Sequence, residues 1–213
     1  MWASLSRLGE IMRRFSGEEG ERLVREARNS IELFISSPIF NKRLIERRLS
    51  DFDDEIGVFV SIEHYPTGNQ RGRMGFIRPI GKIKKLLPEA AIAASTEDPR
   101  HVPISHLEFD EIIVEVDLLT RLIKLAGRSE DIKKSVKIGR DGLMLTYGYH
   151  SNLILPMEAI SKGWNAEDLL NELCEGAGLE KHLWKSHDIT IYKFHSQVFK
   201  ETSPRGIVRE IRP

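Results

Sequence analysis

The chain has 213 residues, 40% of them hydrophobic, with 32 Lys plus Arg against 32 Asp plus Glu, a formal charge of zero and a sequence pI near 7.1. That length can bury one large domain or two interlocked lobes, and the balanced charge supplies no global field to attract nucleic acid or an acidic membrane. The lone cysteine, Cys174, excludes an intramolecular disulfide framework and a cysteine-built zinc site and fits a reducing compartment.

The opening MWASLSRLGEIMRRF is too charged for a secretory leader, and no apolar run is long enough to span a bilayer, so a soluble cytoplasmic protein is expected. Ser16 reads as an N-cap, with Glu18 and Glu19 in the first turn. Leu23, Ala27, Ile31, Phe34 and Ile35 form the stripe of a helix that ends before Pro38. Residues 38 to 55 read as a connector with one helical turn. IGVFVSIEH alternates as a strand, PTGN supplies a turn, and QRGRMGFIRP resumes in extended form, which makes an antiparallel hairpin. Pro88 reads as the first turn of a helix through EAAIAASTED, DPRHVPIS as a loop, and FDEIIVEVDLLT as a strand.

Residues 121 to 135 carry no clear period, with Lys133 and Lys134 leading into a short strand at 136 to 138. RDGLMLTYGYHSNLILP reads as two strands, MEAISKG and NAEDLLNELCEGAGL as two helices with Asn165 capping the second, and ITIYKFHSQVF as one last strand. Strands and helices without a βαβ rhythm indicate an α+β protein with a largely antiparallel sheet. High charge with only two glutamines, Gln70 and Gln197, is a balance seen in proteins from hot environments.

The chemistry concentrates in RGRMG. In an extended chain Arg71, Arg73, Gly75 and Ile77 take one face, Met74 and Phe76 the other. Two guanidiniums beside glycines suit a phosphate or carboxylate; the plainer alternative is a solvated strand face with a bulge at Gly75. Asp98, Arg100 and His101 share the loop after the alanine helix, either as functional groups or as a loop salt bridge, with His101 the candidate acid or base.

His101 and His106 stand five apart, which is no helical metal pair, and neither a metal nor a cofactor is expected. Cys174 reads as a buried small hydrophobe. Glu115 and Asp117 alternate on one face of their strand, as a carboxylate pair or as that strand's exposed face. Basic clusters at Arg13-Arg14, Lys42-Arg43, Arg47-Arg48 and Lys82-Lys84-Lys85 lack interleaved aromatics, which argues against nucleic acid.

The order of GVFVSIE, RGRMG, AAIAASTEDPRHVPIS, EVDLLT, IGRDGLMLTYGYHSNLILP, Gly163-Trp164, LCEGAGL and Trp184 resembles the AMMECR domain family. The resemblance covers residues 17 to 201 as one domain of two closely associated lobes, leaving 1 to 16 as an N-terminal extension and 202 to 213 as a tail. It implies an α+β fold with a cleft near the hairpin, no settled activity, and an association with Memo-type and radical S-adenosylmethionine proteins. The family's hallmark Leu-Arg-Gly-Cys-Ile-Gly keeps Arg71, Gly72 and Gly75 here, but Gln70, Arg73 and Met74 stand at the leucine, cysteine and isoleucine. A guanidinium cannot replace a thiolate nucleophile. The expected function is a small, anionic ligand held by Arg71, Gly72, Arg73 and Gly75, with Asp98, Arg100, Arg140 and His150 converging. The alternative is an adaptor that docks a partner protein through the same face.

Overall fold

The computed structural model describes residues 12–37, 41–186 and 188–212. Most of the expected N-terminal extension, the first residues of the connector and His187 lie outside them. In chain order the elements are α1 (Gly17–Ser36), α2 (Lys42–Arg48), β1 (Gly57–His64), β2 (Gln70–Phe76), α3 (Ile83–Thr96), β3 (Ile112–Leu119), β4 (Ile123–Lys124), α4 (Ser129–Ser135), β5 (Gly142–Tyr147), β6 (His150–Ile154), α5 (Pro156–Lys162), α6 (Ala166–Glu175), β7 (Thr190–Phe194), β8 (Ser196–Glu201) and β9 (Val208–Ile211). The fold is α+β, with a five-stranded sheet in the order β2-β1-β3-β8-β9 and a four-stranded sheet in the order β4-β7-β5-β6. The described residues form two compact units, Met12–Leu119 with Gln197–Arg212, and Thr120–Ser196.

In the first unit, α1 starts at a capping box in which Ser16 Oγ accepts from Glu19 N at 3.1 Å while Glu19 Oε2 accepts from Ser16 N at 2.7 Å. Leu23, Val24, Ala27 and Ile31 bury its stripe, whereas Phe34 stays 39% exposed. Both α1 and α3 pack on one face of the five-stranded sheet, over Val58, Val60, Ile62, Val114, Val116, Leu118 and Phe199. β1 pairs antiparallel with β2 and with β3, and β8 with β9.

The helix expected to open at Pro88 begins five residues earlier, at Ile83, with Pro88 inside it. Ile83 N donates to Asp54 O at 3.0 Å and Lys84 N to Phe52 O at 3.3 Å, so the loop before the helix supplies acceptors that no local motif announces. The proline removes one amide, and buried Leu86, Leu87 and Ala91 hold the helix through that loss.

In the second unit β5, β6 and β7 cover a core of Leu143, Leu145, Leu169, Leu170, Leu173, Trp184 and Ile191. Residues 136 to 138 form no strand. The preceding segment is instead α4, whose Glu130 and Asp131 at the start and Lys133 and Lys134 at the end complement the helix dipole. The single strand expected over ITIYKFHSQVF is two strands in different sheets, broken at His195. His195 itself is held by Thr120, with His195 N donating to Thr120 Oγ1 at 2.9 Å and Thr120 N donating to His195 O at 2.9 Å.

Candidate functional site

The RGRMG hairpin takes its shape from one extra residue. Ile62 faces Gly72 and Glu63 faces Gln70, so Arg71 is the unpaired residue of a bulge. Its side chain turns into the protein. Nε donates to Glu108 Oε2 at 2.7 Å, Nη2 to Glu108 Oε1 at 3.2 Å and to Pro103 O at 3.3 Å, and Nη1 to Val102 O at 2.7 Å. Arg71 therefore fastens the loop between α3 and β3. Met74 and Phe76 pack against the core, as the alternation expects.

The two glycines are close-approach positions against protein atoms. A Cβ on Gly72 would stand 2.0 Å from Ala94 O of α3, and one on Gly75 would stand 2.3 Å from Val58 O and 2.6 Å from Phe59 Cγ. Beside them Asp98, 4% exposed, gathers the loop after α3. Its carboxylate accepts from Arg73 N at 2.8 Å and from Arg100 N, Nε and Nη2 at 3.0, 2.9 and 2.8 Å. The Arg100 guanidinium outweighs burial and, with the two backbone amides, holds the Asp98 carboxyl well below the usual carboxylate range. The neighbouring His101 donates its backbone amide to Asp98 O at 3.1 Å.

Arg73 belongs to the sheet face opposite α1 and α3, and there the structure gathers polar groups. The antiparallel register aligns Arg73, Ser61 and Glu115 in one row across β2, β1 and β3, with Gly75, Phe59 and Asp117 in the next. Arg73 Nε donates to Ser61 Oγ at 3.0 Å. On the far side Lys200 of β8 donates to both oxygens of Glu63 at 2.7 Å and lies 3.3 Å from Glu115 Oε2. Every residue of β3 is buried, which overturns the exposed-face alternative for Glu115 and Asp117. Asp117 is 1% exposed, and its Oδ2 has no hydrogen-bond partner.

Burial pushes the Asp117 carboxyl well up, and the Glu115 carboxylate adds to the rise against the opposing charges of Arg73 and Lys200. Burial likewise raises Glu115, with Lys200 as the main opposing charge. Glu63, Ser61 and Lys200 went unremarked in the sequence because only the strand order brings positions so far apart in the chain together.

The remaining expected residues belong to the second unit. Arg140 pairs with Asp141, Nε to Oδ1 at 2.7 Å, and His150 Nδ1 lies 2.9 Å from Ala177 O. Arg140 precedes the start of β5 and His150 faces its far end at Tyr147, and the two ends of that strand are about 17 Å apart by strand rise. Asp141 is the better organised group. Its Oδ1 lies 2.9 Å from His195 Nε2, and although burial pushes its carboxyl up, His195, Arg140 and the Lys137 amide hold it well below the usual range. Cys174 is buried, and burial raises its thiol, so it is a core residue rather than a nucleophile. Among the described residues no cluster of three or more His, Cys, Asp or Glu side chains could hold a metal ion, and no helix is long and apolar enough to cross a membrane.

Against known proteins, the profile of the AMMECR1 family matches residues 24–199. The chain belongs to the AMMECR1 family. Protein MJ0810 of Methanocaldococcus jannaschii is 40% identical over 201 residues, covering 93% of this chain and 98% of its own. A protein of Thermofilum pendens is 37% identical over 211 residues, covering 93% and 97%. The crystal structure of Uncharacterized Protein PH0010 from Pyrococcus horikoshii superposes with a TM-score of 0.88 at 33% identity, covering 93% of this chain and 99% of that one. Each of these archaeal relatives covers 93% of this chain, and their names state no activity, so a functional reading rests on the geometry.

Proposed function

We propose that this AMMECR1-family chain is a cytoplasmic protein that binds a small anionic ligand on the polar face of the five-stranded sheet, beside the RGRMG hairpin. One observation carries the reading. Asp117, almost wholly buried, keeps a carboxyl oxygen without a partner within the electrostatic reach of Arg73 and Lys200. Buried polar atoms are nearly always satisfied, and an exception in a cluster of shifted carboxyls marks a functional position.

In this reading Arg73 and Asp117 meet the ligand. Arg71, Gly72, Gly75, Asp98 and Arg100 act through the hairpin and the loop that they hold in place. His101 is the candidate acid or base, with transfer or hydrolysis as the reaction class.

The test is thermal unfolding of the wild type, Arg73→Ala and Asp117→Ala against nucleotides, nucleobases, S-adenosylmethionine, phosphates and carboxylates. A ligand at about a hundred times its Kd adds about 2.7 kcal/mol. A rise in Tm in the wild type that either substitution removes supports the site. No rise with any compound overturns it.

A second reading, a partner-docking protein, is favoured by Val102 and Leu107, each 76% exposed on the loop that Arg71 fastens. Stoichiometric capture of a Memo-type or radical S-adenosylmethionine protein by the wild type, lost in Val102→Asp/Leu107→Asp, supports it. Equal capture by both overturns it.

A further inference from the structure

Among the described residues the polar sheet face carries Glu63, Glu115 and Asp117 together with Arg73, Lys200 and the exposed Arg209, which stands opposite Lys200 in the register of β8 and β9. The groups that face Asp117 are Glu115 on its own strand, Ser61 and Glu63 on β1, Arg73 on β2 and Lys200 on β8. Lys200 is committed to Glu63 and Glu115, with Nζ distances of 2.7 and 3.3 Å. Arg209 is exposed, so in the buried part of the face Arg73 is the second cation beside Lys200, and an ionised Asp117 would be the third negative charge against two positive ones. A buried charge without a partner is far costlier than a neutral acid. Glu115 and Asp117, two positions apart on one strand face, stand about 7 Å apart, close enough for like charges to repel in a desolvated setting.

A neutral carboxylic acid is a hydrogen-bond donor, and the unpartnered Oδ2 is the atom from which it would donate. We propose that Asp117 keeps its proton at neutral pH and donates it in a hydrogen bond to an oxyanion of the bound ligand, so that this AMMECR1 face takes up a carboxylate or a tetrahedral oxyanion together with one proton. The inference rests on the ligand site proposed above. The selectivity follows from the donor set. An oxyanion meets the Asp117 hydroxyl and the field of Arg73, whereas an amine or a metal ion would require Asp117 to ionise beside Glu115. Binding weakens as pH rises and Asp117 loses its proton, about tenfold per pH unit once the acid is mostly ionised. Asparagine at this position donates an N–H without titrating, so Asp117→Asn binds the same anion without that slope.

The test uses the full chain with acetate and sulfate, a carboxylate and a tetrahedral oxyanion that both stay ionised across neutral pH. Infrared difference spectra of wild type against Asp117→Asn at pH 7 read the protonated carboxyl stretch directly. Thermal shift and calorimetry read anion affinity from pH 6 to pH 9. The expected results are a protonated-carboxyl band that Asp117→Asn lacks, a displacement of that band by whichever anion binds, and an affinity that falls with pH in the wild type but not in the variant. Acetate binding alone assigns a carboxylate ligand, and sulfate binding alone a tetrahedral one.

Binding of either anion with no such band at pH 7 overturns the proposal and leaves the ligand site standing. A band that neither bound anion moves also overturns it. Binding of neither anion to any form overturns this inference, whereas the site itself stands or falls on the wider ligand panel. Wild-type difference spectra between pH 6 and pH 9, and with and without the anion, read the same band's titration and displacement, so a variant that fails to fold does not remove the test.

Discussion

Asp98 and Asp117 are both buried, and their surroundings push their carboxyls in opposite directions. Asp98 accepts from Arg100 and from two backbone amides, so its folded pKa lies below the unfolded one. Such a group contributes stability that is fully present above the ordinary carboxylate range and is lost as pH falls through the folded value. Asp98→Asn should cost about 2 kcal/mol at pH 7, the scale of hydrogen bonds to a charged group, and should flatten the acid limb of stability against pH in urea titrations. Asp117 has the contrary sign. Its folded pKa lies above the unfolded one, so the folded state retains a proton that the unfolded chain releases, and stability falls as pH rises from the unfolded value toward the folded one. Asp117→Asn should remove that loss, leaving the variant relatively more stable at pH 8 than at pH 4 when both are measured against wild type. A parallel pair of pH profiles would show that Asp117 ionises normally.

At the scale of elements, α1, the β1–β2 hairpin, β3 and α6 were legible in the sequence because their signals are local: a cap, an alternation, a turn. The start of α3 was not, since its first amides are satisfied by Phe52 and Asp54. Nor was the break at His195, because an unbroken alternation does not say that its two halves enter different sheets. The pairing of Val208–Ile211 with β8 carries no local mark at all. The hairpin was found as a place but not as a mechanism. Arg71 and Gly72 also have a structural role, against Glu108, Val102 and Ala94, that no local signal announces.

Gly72 tests that structural role. A methyl there would meet the Ala94 carbonyl at 2.0 Å, a backbone atom that cannot rotate away, so α3 must move off β2. Gly72→Ala should cost about 3 kcal/mol, at the upper end for overpacking. Gly17→Ala, at the first position of α1 with nothing within 4 Å, should be neutral or stabilising by about 0.5 kcal/mol in the same chemical denaturation experiment. Equal effects at the two glycines would remove the packing explanation for Gly72.

At the scale of the whole molecule, the first unit is built from distant parts of the chain, residues 12–119 and 197–212. Its closure depends on contacts between them. Phe15 exchanges two hydrogen bonds with Gln197, at 2.9 and 2.8 Å, and Arg28 of α1 forms a bidentate pair with Glu201 of β8, at 2.8 and 2.5 Å. Arg28 also donates to Ile112 O and Phe109 O, while Glu201 accepts from Val114 N, so one buried ion pair joins a helix, a loop and two strands. Burial opposes the Arg28 charge, and Glu201 and Glu32 more than restore it.

Removing one partner of such a pair leaves the other buried with a single part-exposed counter-charge, Glu201 with Arg25 at 3.5 Å or Arg28 with Glu32 at 3.2 Å. Arg28→Met and Glu201→Leu should therefore each cost about 3 to 5 kcal/mol, whereas the double variant, which removes both buried charges, should cost less than the two singles together. The measurement is a double-mutant cycle in urea. Additive losses would mean that Arg28 and Glu201 act independently through their separate backbone contacts. A coupling energy of about 2 kcal/mol or more would identify the pair as the link that holds the returning C-terminal segment to α1.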